Sequence, residues 1–284
     1  MMTCKELLEK FRANLDLLPY SNPADKKNDS YGGWVKDFHI HRKKGDNISL
    51  NLCEKDNDTD LFLLFVLAVI WSRSGPWEYS AFFVAYLKEC EGLKNWDDVK
   101  AWCEKLESCK PEDFCKAYLG KVEKELSLDS SNSTNNGARK KLSLRKDAIN
   151  SLLVLYKNWD EIKKSLDDSQ AKGNYQIFID HMRSIDGLAG PAKNGKTKRM
   201  RMKILLILRE LRIQKRYKNI PGDLCCVPDS RVIKAAEQIS DLKLRNNNTF
   251  ENQIINSKLI YEKFGDWYDV PLFAYKDLQS HGLI

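Results

Sequence analysis

The chain has 284 residues, enough for one large domain or two packed subdomains around a substantial core. With 31% charged and 42% hydrophobic residues its make-up is that of a soluble globular protein, and its longest apolar run, residues 61–71, is too short to span a bilayer. The net charge of +7 is local rather than diffuse: residues 190–218 hold 11 Lys or Arg against one acid, Glu210, while the other residues hold 36 basic and 39 acidic groups.

In chain order, helical patterns dominate. KELLEKFRANLDLL opens the chain as an amphipathic charged helix without the apolar core of an export signal. FHIHRKKGDNISLNL, residues 38–52, alternates on both sides of a KKGDN turn and predicts a β-hairpin. Helices are expected at DTDLFLLFVLAVIWSRS, where the apolar run marks a buried helix, and at SAFFVAYLKECEGL, WDDVKAWCEKLES and KPEDFCKAYLGKVEKEL. Acids at Asp97, Asp98, Glu112 and Asp113 sit where helix dipoles favour them. Residues 127–141, SLDSSNSTNNGARKK, read as a surface loop. Helices resume at LRKDAINSLLVLYKNWDEIKKSL and YQIFIDHMRSI. After a glycine turn, KRMRMKILLILRELRIQKRY reads as one long helix. Beyond Pro221-Gly222, VPDSRVIKAAEQI forms a helix capped by Asp229 or Ser230, and FENQIINSKLIYEKFGD and PLFAYKDLQS complete the chain.

The glycine turn poses the functional question. GPAKNGKT, residues 190–197, fits the phosphate-binding pattern G-x-x-x-x-G-K-[ST] at every required position. A P-loop needs a buried strand running into its first glycine, within a β-α-β alternation. Here the preceding segment is helical in pattern and carries Asp180, Arg183 and Asp186, and no such alternation exists. The NTPase reading is therefore the weaker one. A helix, a glycine turn and a second helix also present successive N–H groups to an anion. With the local positive charge, that points to a polyanion such as nucleic acid, against the plainer alternative of a solvated helix face.

IDGLAGPAKNGKT followed by MKILL, with VPDSRV about 30 residues on, resembles the helix-hairpin-helix DNA glycosylases. WSRSGPWEYSAFFVAYL and DVPLFAYKDL are similar to the first half and closing helix of the archaeal 8-oxoguanine members. The resemblance spans most of residues 59–280 and is weak between 100 and 150. It implies a mainly α fold with a small N-terminal β-hairpin, in which two helical subdomains flank a basic cleft. One, residues 59–218, ends in the hairpin motif; the other combines 1–58 and 219–284.

The resemblance also implies site residues. Asp229 takes the place of the catalytic carboxylate, which stabilises positive charge on the sugar as the N-glycosidic bond breaks; the alternative is a simple helix cap. Lys196 takes the place of the lysine that attacks C1′ and forms a Schiff base; the alternative is another phosphate contact. Gly190, Gly195, Thr197, Lys198 and Arg199 would grip backbone phosphates, with Arg201 and Arg231 helping. Trp77 matches a pocket tryptophan, unless it belongs to the core. The aromatic that follows the lysine by four in that family is here Met200, and the C-terminal acid and tryptophan are Tyr275 and Gln279. The aromatic sandwich for 8-oxoguanine is thus lost.

A roomier, more polar pocket suits the related bacterial antiphage glycosylases, which remove hypermodified bases such as glucosylated hydroxymethylcytosine. Frequent Asn, with NNN at 246–248, and abundant thiols indicate a mesophile. The expected function is base excision from double-stranded DNA carrying a modified base, by a cytoplasmic monomer without membrane attachment. The rivals are an 8-oxoguanine glycosylase/lyase, a non-catalytic DNA-binding module and the NTPase.

No cofactor is expected. The eight cysteines contain no C-x-x-C pair and none follows Cys226, which argues against a zinc ribbon and an iron–sulfur loop. The Cys225-Cys226 pair reads as packing of reduced thiols. His39 and His41 share a strand face, but no third metal ligand is evident, so phosphate contact or a surface role is favoured.

Overall fold

The computed structural model describes residues 1–15, 24–25, 30–33, 38–41, 47–50, 52, 57–70, 77–125, 146–189 and 200–284. Among these the fold is mainly α, with 13 α-helices and two short antiparallel strand pairs. Contacts divide the chain into two compact units. One comprises residues 37–165 and 180–200; the other comprises 1–36, 166–179 and 201–284. The boundaries implied by the resemblance lie at 58/59 and 218/219.

The 37–165 unit begins with strands β3 (Phe38–His41) and β4 (Asn47–Leu50), paired antiparallel with Phe38 opposite Leu50 and His41 opposite Asn47. The hairpin expected from the period-2 pattern is therefore present. A shorter pair, β1 (Ala24–Asp25) with β2 (Ser30–Tyr31), precedes it in the other unit and carries no sequence signal of its own. Helix α2 (Asp58–Ile70) is buried at every position from Thr59 onward, as an all-round apolar helix must be. Asn57 accepts the amides of Thr59 and Asp60, and Lys88 pairs with the buried Asp60 at 2.6 Å.

Around α2 lie α3 (Trp77–Glu89), α4 (Trp96–Glu107) and α6 (Lys146–Lys157); α5 (Pro111–Glu125) packs on α6. Trp159 anchors this core: Phe62 and Phe65 meet it edge-on at 5.2 Å, and Trp96 stacks on it at 5.9 Å. Such ring pairs stabilise by about 0.5–1.5 kcal/mol each beyond their buried area. The segment 144–166, expected as one helix, is two. Asn158 interrupts it, turning its side-chain amide back onto the Val154 carbonyl at 2.8 Å while its own carbonyl starts α7 (Trp159–Lys172).

In the other unit, α1 (Cys4–Ala13) opens with a Thr3/Glu6 capping box. It is tied to the C-terminal region by Cys4 N–H to Asp241 (2.8 Å), Lys10 to the Leu283 carbonyl (2.8 Å) and the edge contact of Phe11 with Trp267 (5.4 Å). The long helix expected over 198–217 is shorter. Helix α9 runs Met202–Ile213, and Lys215 and Asn219 then take positive φ. The reason is tertiary: Gln170 accepts the Lys218 amide at 2.7 Å, and the Tyr175 hydroxyl donates to the Lys218 carbonyl at 2.6 Å. After α9 come a 3₁₀ turn (Gly222–Leu224), α10 (Ser230–Ala236), α11 (Phe250–Phe264), α12 (Val270–Phe273) and α13 (Tyr275–Ser280). No described helix is long and apolar enough to cross a membrane.

Candidate functional site

Residues 225–228, Cys-Cys-Val-Pro, are buried and lead the chain to Asp229. Of the two candidate caps of α10, the structure selects Asp229. Its backbone is extended (φ −74°, ψ 179°), and Oδ1 accepts the amides of Arg231 at 2.8 Å and Val232 at 2.9 Å. Oδ2 takes no hydrogen bond from any described residue. One oxygen is thus fixed by backbone, and among the described residues nothing holds the other, on a half-buried side chain.

The electrostatics of Asp229 differ from the simple expectation. A helix N-terminus favours the ionised form, and the two amides do act in that direction. Burial opposes them and prevails, aided by the charge of Asp269, so the carboxyl sits above its ordinary proton affinity. Arg231 pulls the other way but is itself engaged. Its guanidinium pairs with Asp277 at 2.7 Å and lies 4.3 Å from the centre of the Phe273 ring.

Behind this segment lies a charged cluster that sequence reasoning missed. Asp269 is 4% exposed, Arg209 2% and Glu210 1%. Asp269 Oδ1 accepts both Arg209 Nη1 and the Val227 amide, each at 2.9 Å; Glu210 accepts Arg209 Nε at 3.3 Å. The Tyr31 ring lies 5.4 Å from the guanidinium. Burial works against the arginine charge, but Asp269 and Glu210 outweigh it and strengthen its hold on the proton. Gly33 closes over this group at φ +94°, where a Cβ would stand 2.8 Å from Glu210 Oε2. The signal was present: an Arg-Glu pair interrupts the apolar run ILLILRELRI. A net charge summed over residues 190–218 does not register it.

A loop completes the surroundings. Asn247 donates its side-chain amide to the Pro228 carbonyl, next to Asp229. Asn256 clamps both backbone groups of Arg245, at 2.8 and 3.0 Å, and Gln253 donates to the Asn247 carbonyl at 3.2 Å. Arg201 is exposed and donates to the Asn248 carbonyl at 3.0 Å. The Asn run therefore builds a fixed loop rather than merely marking composition.

Of the other expected site residues, Tyr275 and Gln279 lie four apart on α13, half-buried and exposed respectively, on one helix face. Met200 is buried, and Trp77 is the first residue of α3. Gly190, Gly195, Lys196, Thr197, Lys198 and Arg199 lie outside the described residues. Helix α8 (Gln176–Ser184) leads into a turn in which Gly187 takes φ +82° and offers its carbonyl to Ser151 at 2.9 Å; α9 begins at Met202. His39 and His41 stand on β3. No group of three or more His, Cys, Asp or Glu arranged for a metal occurs among the described residues.

No protein-family model matches this chain, and no curated protein or solved structure matches it.

Proposed function

We propose that the protein is a DNA glycosylase that excises a modified base from double-stranded DNA, with Asp229 as its essential carboxylate. The observation that carries this reading is the state of Asp229: one oxygen held by two backbone amides, the other uncommitted, in a half-buried setting that raises its proton affinity. Perturbed carboxylates of fixed orientation cluster at functional sites, whereas a cap that serves only its helix gains nothing from burial beside a second acid.

In the proposed reaction the flipped nucleotide presents C1′ to Asp229. As the C1′–N bond breaks, the base leaves with the bonding electrons and positive charge grows on the sugar. The ionised Asp229 stabilises that charge, and its uncommitted oxygen orients a water that adds to C1′ and gives up a proton. The products are the protonated free base and an abasic site. Lys196 is proposed on sequence grounds as an alternative nucleophile: its neutral amine would add to C1′ and lead through a Schiff base to strand cleavage. Gly190, Gly195, Thr197, Lys198 and Arg199, with Arg201 and Arg231, are proposed phosphate contacts. Trp77, Met200, Tyr275 and Gln279 are proposed to serve the base.

The proposed substrate is a hypermodified cytosine of phage DNA, because the resemblance implies Met200, Tyr275 and Gln279 at positions that 8-oxoguanine recognition fills with aromatic walls and an acid. The experiment is base release read by mass spectrometry. The arms are ordinary DNA, 8-oxoguanine DNA and phage DNA with glucosylated hydroxymethylcytosine, each with wild type and Asp229→Asn. Release from phage DNA alone, lost in the variant, supports the antiviral reading. Release of 8-oxoguanine overturns the pocket argument. Release from none of the three overturns the proposed substrate, and unaltered DNA binding by Asp229→Asn would then leave a binding module.

A further inference from the structure

We propose that Asp269 is a positioning residue for Asp229: held by Arg209, it fixes the backbone that delivers Asp229 and sets the electrostatic field around that carboxylate. The proposal rests on the reading of Asp229 as the functional carboxylate and extends it to a second acid and its counter-ion.

The geometry is a relay through one residue, Val227. Asp269 Oδ1 receives the Val227 amide at 2.9 Å, and the Val227 carbonyl receives the Asp229 amide at 2.8 Å. Both backbone groups of Val227 are therefore committed, one to each aspartate. Asp269 does not drift, because the same oxygen binds Arg209 Nη1 at 2.9 Å and Arg209 is held by Glu210 on its own helix. Arg209, Glu210 and Asp269 are all buried, so the Asp269 charge acts on Asp229 with less of the screening that water gives an exposed pair.

Among the described residues, charged groups bear on Asp229 from several elements. On α10, the amides of Arg231 and Val232 and the Arg231 guanidinium favour its ionised form. The segment before α12 brings Asp269, which opposes ionisation. Behind Asp269, α9 brings Arg209 and Glu210. On α13, Asp277 holds Arg231 and blunts its effect. The loop that reaches Pro228 does so through the neutral Asn247. Asp269 is the acid in this set that acts on Asp229 directly, and its removal lowers the proton affinity of Asp229.

The test is a pH titration of the full-length protein with ¹³C-labelled aspartate carboxyls, the Asp229 resonance being assigned by its loss in Asp229→Asn. In Asp269→Asn, which keeps the shape and an oxygen for the Val227 amide, the Asp229 midpoint moves to lower pH. Arg209→Lys is the second variant. One ammonium cannot bridge Asp269 and Glu210 as the guanidinium does, so the Asp269 charge is less neutralised and the Asp229 midpoint moves to higher pH. Opposite shifts support the relay. An unchanged midpoint in a folded Asp269→Asn, or in folded Arg209→Lys where the first variant does not fold, overturns it.

These readings need no base release, so they stand apart from the glycosylase proposal. If wild type excises a base, the acid limb of its rate–pH profile follows the same two shifts. If it excises none, the glycosylase reading fails while the coupling between the two acids is decided independently.

Discussion

Replacing Asp229 by Asn and by Ala separates the two things its carboxyl group does. Asn keeps an oxygen for the amides of Arg231 and Val232 and is as good an N-cap as Asp, so the cap contribution changes by a few tenths of a kcal/mol at most. Ala removes the cap and costs about 1 kcal/mol, within a range of roughly 0.5–2. In a domain of about 150–250 residues 1 kcal/mol moves Tm by about 2–4 °C, which is the expected gap between the two variants. Both substitutions also remove a negative charge from a place that resists it.

The sign of that second effect follows from the raised proton affinity of Asp229. The folded protein binds this proton more tightly than the unfolded chain, so at neutral pH the ionised carboxylate destabilises the fold. Asn relieves that cost, and the Asn variant melts at or above wild type near pH 7. As pH falls through the folded value the wild-type carboxyl takes up its proton. The Asn advantage shrinks there and is gone below the ordinary carboxylate range. Thermal unfolding followed by circular dichroism at a series of pH values, beside base release, gives both readouts. An Asn variant that melts below wild type near pH 7 and keeps that deficit in acid would refute the claim that Asp229 is held against its own stability. Retained base release in the Asn variant would refute its essential role.

Two further outcomes follow from the same geometry. Arg201→Ala loses one hydrogen bond to the Asn248 carbonyl from an exposed side chain, so stability changes by no more than about 0.5–1.5 kcal/mol. Its DNA affinity falls, and the slope of log K against log salt, read by fluorescence anisotropy, decreases by about 1; an unchanged slope removes Arg201 from the DNA face. Gly222→Ala sets a Cβ 2.0 Å from Cζ of Tyr261, whose hydroxyl bonds Asp266 at 3.1 Å and Arg212 at 3.3 Å. The ring must move and release those partners, costing about 1–3 kcal/mol in urea unfolding. A Tyr261→Ala background abolishes most of that cost if the clash is its origin.

What the sequence made legible were features set by local chemistry. The apolar run of α2 could only be buried, the alternation around KKGDN could only pair as a hairpin, and Pro-Asp-Ser before a periodic segment marked a cap. What it hid depends on distant partners. Nothing in RIQKRY ends a helix by propensity, yet α9 stops at Ile213, and beyond it Gln170 and Tyr175 capture Lys218. The same blindness affected charge. Arg209 was counted in the basic segment, yet it is one of the least exposed residues there. Arg212 is also partly spent inside, donating to the Ile220 carbonyl at 2.6 Å and to Asp266 at 3.2 Å. The positive charge that the described part of this segment exposes is smaller than its formal count, and it includes Arg201, Lys215 and Lys218.

That buried charge bears on the function in another way. A guanidinium between two buried carboxylates is a poor means of stabilising a fold; well-packed apolar residues of similar volume do as well or better. α9 supplies such residues close by, with Leu205, Leu206, Leu208 and Leu211 all buried. The charges are therefore best understood by what they hold. Arg209 holds Asp269, Asp269 holds the Val227 amide, and Val227 holds the Asp229 amide. Packing of apolar side chains has no directional grip on a peptide N–H, whereas a carboxylate does. A site that must keep one carboxylate oriented, half out of water and with one oxygen uncommitted, needs that directional grip from behind. The cost in stability then falls on the cluster and on Asp229 itself, where the paired titrations of Asp269→Asn and Arg209→Lys measure it.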